Sequence, residues 1–119
     1  MSTLIANLST GKGTWGHVSR LIEEKEWEKI ILVTNEFGKE NFTNKNEKTA
    51  LVIIDPNQSL KDLQKEIQSK LKDLITDTEV YLNLVSGTGK EHMALLSSLL
   101  KLGLGINLIA LTKDGIEEI

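Results

Sequence analysis

A chain of 119 residues with 39% hydrophobic residues can bury one core and is short for two, so a single domain spanning 1–119 is expected. The 14 Lys and Arg against 17 Asp and Glu give a net charge of −3, which argues against a broad surface for duplex nucleic acid and leaves only a local anion pocket. There are no cysteines, which removes disulfides, thiolate metal sites and a cysteine nucleophile.

Met1-Ser2-Thr3 runs into a first apolar segment, Leu4 to Leu8, without a basic leader, and no apolar run reaches the roughly 18 residues of a membrane span. No membrane partner and a cytoplasmic location follow as expectations. The first strand ends in the loop Ser9-Thr10-Gly11-Lys12-Gly13-Thr14-Trp15-Gly16, and Val18, Leu21 and Ile22 then form a helical stripe. Ile30 to Thr34 is a second strand. The link from Glu36 to Lys48 is polar apart from Phe37 and Phe42, holds at most a short helix, and is expected to be mobile or to cover a ligand.

A third strand covers Ala50 to Ile54. Ser59 with Asp62 resembles a capping box before the stripe Leu60, Leu63, Ile67, Leu71 and Leu74. Val80 to Val85 is the fourth strand, followed by Ser86-Gly87-Thr88-Gly89-Lys90 and the leucine-rich helix Met93 to Leu102. Ile106 to Leu111 is the fifth. Near-continuous Val, Ile and Leu in the strands fit a parallel sheet covered on both faces. The expected fold is a three-layer Rossmann-like α/β domain, with a mostly parallel sheet of five or six strands and helices on both faces.

Both glycine-rich loops stand between a strand and a helix, where phosphate binds: small residues allow close approach and the first helical N–H groups lack intrahelical partners. Gly11, Gly13, Thr14, Ser86, Gly87, Thr88 and Gly89 are therefore candidate ligand-binding residues, with Lys90 supplying positive charge. Trp15 either stacks on a base or packs over its own helix end. His92 and His17 sit just inside the two helices and either face the ligand or are solvated. No His or carboxylate lies at metal-ligand spacing, so no metal and no cofactor are expected.

Gly11-x-Gly13-x-x-Gly16 matches the dinucleotide fingerprint, with Glu36 about 20 residues on. Against it stand the short chain and the bulky Lys12 and Trp15. A nucleoside-triphosphatase loop fails, because His17 and Val18 follow where Lys and Ser or Thr are needed. The Met93 to Leu102 helix has little polar relief, since Ala94, Ser97 and Ser98 are small, and a second copy of the chain is the expected cover.

With these pairs in place, the chain resembles a CARF domain, the CRISPR-associated Rossmann-like sensor of cyclic oligoadenylate. Three features carry the likeness: Ser9-Thr10 after strand one, Ser86-Gly87-Thr88-Gly89-Lys90 where the family reads close to Gly-Gly-Thr-Lys, and the apolar helix behind it. Gly89 is inserted between Thr88 and Lys90, a departure that moves the lysine, and with no effector segment read after Ile119 the expectation is a sensor without an attached output or a stand-alone ring nuclease. The resemblance implies a homodimer through Met93–Leu102 holding a cyclic oligoadenylate or related nucleotide across its cleft. It further implies metal-independent ring cleavage in some members, for which Lys90, Ser9 and Thr10 are the candidate catalytic residues, orienting the ribose and stabilising charge. The rival expectations are a small NAD- or FAD-binding module and a structural interaction domain.

Overall fold

The computed structural model describes residues 2–119. Strand β1 (Thr3–Leu8) leads through a short 3-10 turn (Lys12–Thr14) to α1 (Trp15–Glu24), and β2 (Lys29–Thr34) is followed by α2 (Glu36–Asn41). Then come β3 (Thr49–Ile53), α3 (Leu60–Lys72), β4 (Glu79–Asn83), α4 (Gly89–Lys101), β5 (Gly105–Thr112) and β6 (Gly115–Glu118). The sheet order is β3-β2-β1-β4-β5-β6. Neighbours among β1 to β5 pair in parallel, and β6 returns antiparallel beside β5, with Thr112 opposite Gly115. The expected α/β sheet is present with six strands.

Alternation along the central strands explains why they read as unbroken apolar runs. Leu4, Ala6 and Leu8 of β1 pack with Val18, Leu21 and Trp27 on one face, whereas Ile5 joins Leu63, Ile67, Leu95 and Leu99 on the other. Every side chain of such a strand leaves water, and each buried aliphatic one contributes about 1.5–3 kcal/mol. Helix α1 thus covers one face, and α3 and α4 cover the other.

Two local outcomes differ from the sequence expectations. The link after β2, expected to be mobile or to cover a ligand, is fastened to α1: Phe42 is buried, and Asn44 Nδ2 donates to Ser19 O and Glu23 Oε1. Its short helix α2 is capped by Asn35, and Gly38 lies against β2 so closely that a Cβ there would sit 1.9 Å from Thr34 Oγ1. Helix α4 is less uniformly apolar in its packing than in its composition. It buries Ala94, Leu95, Ser98 and Leu99, and the single Ser98 hydroxyl proton is shared between Ala94 O of its own helix at 2.7 Å and Gln64 O of α3 at 3.1 Å. Met93 and Leu100 remain 61% and 62% exposed, so an apolar face is left uncovered. No helix among the described residues is long and apolar enough to cross a membrane.

Candidate functional site

Strands β1 and β4 are neighbours, yet the chain leaves them toward opposite faces, to α1 from β1 and to α4 from β4. The order of the sheet reverses there, and the diverging connections open a crevice beyond the carboxyl ends of the strands. A cleft of about 320 Å³ occupies this place, lined by Ser9, Gly11, Gly13, Thr14, Val85, Gly87 and Thr88. Both glycine-rich loops therefore share one cleft.

Buried polar side chains hold the loops together. Ser86 is 1% exposed, and its Oγ accepts from Ser9 N–H at 2.9 Å. Asn7, equally buried inside β1, donates from Nδ2 to Ser86 O at 3.0 Å. Gly87 has φ +111°, a region open mainly to glycine, and a Cβ there would lie 1.8 Å from Asn7 Nδ2. Asn7 was not among the sequence-derived candidates, although an amide inside an apolar strand is itself a signal, because a buried polar group needs a partner.

The start of α4 is occupied by its own side chains rather than left open. Thr88 Oγ1 accepts from Glu91 N–H, and Glu91 Oε1 accepts from Thr88 N–H, a complete capping box on a buried glutamate. The N–H groups of Gly89 and Lys90 are the two first-turn donors left without an acceptor among the described residues. The anion site expected from four free N–H groups is thus reduced to two, with a carboxylate nearby.

Several expected ligand residues are directed elsewhere. Lys90 Nζ donates to Pro56 O at 3.0 Å and also to Gln58 O, both in the turn between β3 and α3, and it does not line the cleft. His92 Nε2 lies 2.7 Å from Ser86 O, so it carries the proton and donates it. Trp15 is 8% exposed, with Nε1 donating to Ser9 O and its ring against Phe37 and Phe42. It packs in the core over its own helix end, the second of the two readings of this residue. Lys12 Nζ lies 5.8 Å from the Trp15 ring and 5.4 Å from that of Phe37, so both aromatic faces already have a cation. Thr10 is exposed and outside the cleft lining, whereas Ser9 and Thr14 line it.

His17 faces β4 and β5. Leu111 N–H donates to its Nε2 at 3.0 Å, and Asn83 Nδ2 stands 3.2 Å from the same atom. An acceptor Nε2 requires the neutral ring with the proton on Nδ1, and burial moves its pKa in that direction, below the ordinary 6.5. Asn83 also donates to Ile109 O and accepts from Val85 N–H, so His17 belongs to a polar strut beneath the second loop. No group of three or more His, Cys, Asp or Glu capable of holding a metal occurs among the described residues.

The dinucleotide fingerprint is not realised in its usual sense. Its third glycine serves close helix–strand packing, but a Cβ on Gly16 would meet nothing within 4 Å, and Lys12–Thr14 forms a 3-10 turn.

No protein-family model and no curated protein sequence matches the chain. Among solved structures, the C-terminal domain of a hydrogenase from Pyrococcus furiosus is similar in fold, with a TM-score of 0.52 at 14% identity. The match covers 90% of this chain and 88% of that one. The chain is a Rossmann-like α/β protein, and the likeness extends to that architecture alone.

Proposed function

We propose that the chain is a CARF-like sensor that binds a cyclic oligoadenylate, or a related nucleotide, in a cleft repeated across a homodimer. The observation that carries this reading is the meeting of the Ser9–Thr14 and Ser86–Thr88 segments at the switch point between β1 and β4, fastened by Ser86 Oγ and Asn7. Free loop N–H groups, the Ser9 hydroxyl and exposed glycines offer hydrogen bonds to phosphate oxygens without a bulky obstacle. Gly11, Gly13 and Gly89 have open space where a side chain would stand, so packing within the protein does not demand glycine there, while close approach by a ligand would.

Dimerisation is part of the same reading. The uncovered side of α4 presents Leu100 and Met93, and a two-fold related copy supplies an apolar cover. Binding has more support than cleavage: His92 donates to Ser86 O, His17 is held by β5, and Lys90 rests on a distant turn. Neither histidine is poised as a base in this arrangement.

Thermal shift and calorimetry with cyclic tri-, tetra- and hexa-adenylate, run beside NAD and FAD, test the reading. One cyclic oligoadenylate should raise the melting temperature as its concentration passes Kd, and the dinucleotides should not. Binding of NAD or FAD alone would replace it with the dinucleotide alternative. Sedimentation should give a dimer that Leu100→Glu dissociates into folded monomers.

A further inference from the structure

Lys90 presents an unusual combination for a lysine at the edge of a cleft. It is half-buried and spends its hydrogen bonds on two neutral carbonyls, Pro56 O and Gln58 O, more than 30 residues away in sequence. No carboxylate among the described residues is paired with it. Its backbone N–H, by contrast, is one of the two free donors at the start of α4, beside Thr88 of the cleft. One residue therefore stands between two places, its main chain two residues beyond Thr88 of the cleft lining and its ammonium in the turn.

The turn is partly organised without the lysine. Asp55 Oδ1 accepts from Asn57 N–H, Gln58 Nε2 donates to Asp55 O and Glu66 Oε1, and Ser59 caps α3. Loss of the ammonium would loosen the turn and the entry to α3 without unfolding the helix. A phosphodiester is a stronger partner for an ammonium than two neutral carbonyls, because both members of the new hydrogen bond carry charge. A lysine stem is long and flexible, so transfer between partners needs side-chain rotation only.

We propose that Lys90 is a two-position switch that links occupancy of the cleft to the turn between β3 and α3. This rests on the anionic ligand proposed above. Without ligand, the ammonium clamps Pro56 and Gln58. With a phosphodiester in the cleft, it moves to the phosphate and the turn is released. The ligand gains a bond available only in the released state, which is the differential affinity any ligand-driven change requires. Release would reach Leu60 and Lys61, which begin α3 and line the groove it forms with α4. Reciprocity follows: whatever weakens the clamp strengthens binding.

Hydrogen exchange of wild-type protein, alone and saturated with whichever of cyclic tri-, tetra- or hexa-adenylate calorimetry shows to bind, reads the switch directly. Amides of residues 57–60 should exchange several-fold faster with the ring bound. Lys90→Met, checked for native circular dichroism, should show that fast exchange without ligand, gain nothing on adding it, and bind the ring at least tenfold more weakly. Pro56→Gly, which loosens the acceptor turn and leaves the lysine intact, should bind about threefold more tightly. If a ring binds and residues 57–60 keep or increase their protection, the switch is overturned and the binding reading stands. If no ring binds, both fall. Unchanged or weaker affinity in Pro56→Gly would also overturn the switch.

Discussion

The two loops of the cleft look alike in composition and are built in opposite ways. The loop after β4 is bonded within itself: Thr88 and Glu91 close a capping box, His92 holds Ser86 O, and Gly87 lies against Asn7. The loop after β1 is attached at its start, where Ser9 N–H meets Ser86 Oγ, and at its end, where Trp15 donates to Ser9 O. Between these points Gly11 and Gly13 touch no neighbour that would object to a side chain, and Thr14 makes no cap. Glycine content therefore does not measure rigidity. The number of polar groups satisfied inside the loop does, and by that measure the second loop is a fixed wall while the first is free to adapt to a ligand.

The largest effect expected from this contrast is on folding stability. Gly87→Ala should cost about 3 kcal/mol, from a strained backbone and a collision with Asn7. Gly13→Ala should stay within about 0.5 kcal/mol. Denaturant titration of both measures the difference, and equal costs would erase the distinction between the loops. Asn7→Ala follows, at about 2 kcal/mol, because Ser86 O loses the Asn7 donor in a buried place. Thr88→Ala should lose about 1 kcal/mol with its cap, and Thr14→Ala should lose less, since Thr14 Oγ1 only donates to Gly11 O at 3.3 Å.

The smallest effect concerns pH. The folded pKa of His17 lies below 6.5, so the unfolded chain binds more protons as the solution acidifies. Its favourable contribution is complete above 6.5 and is lost gradually as pH falls toward the folded value. Stability measured from pH 7.5 downward should show a shallow decline with at most one proton's slope, and His17→Gln should flatten it. An unchanged slope in that variant would place the acid sensitivity elsewhere.

Much of the architecture could be read from local pattern. Unbroken apolar runs identified the five parallel strands because burial on both faces leaves no polar alternation, and the three-and-four spacing of Leu63, Ile67 and Leu71 marked α3 by the same logic. Strand β6 was harder: Gly115–Glu118 has two acids in four residues, and only pairing with β5 makes it a strand. Within the site, Thr88 and Glu91 stood at capping-box spacing and could have been recognised. The direction of Lys90 could not, because its acceptors are main-chain carbonyls from a turn whose position depends on the whole crossover through β3 and α3. Trp15 was ambiguous for a similar reason, settled by Phe42 arriving from the distant link after β2.

Strand order also bears on how the chain is assembled during synthesis. β1 is made before β4, its second neighbour, with Leu4 opposite Tyr81. Until Glu79–Asn83 has emerged, one edge of an almost wholly apolar strand has nothing to pair with. Such an edge is a template for wrong partners, and pairing across so much sequence is slow to form. A nascent or truncated chain ending before Glu79 should therefore be sticky and dependent on protection, whereas completion of β4 closes the middle of the sheet and ends that exposure.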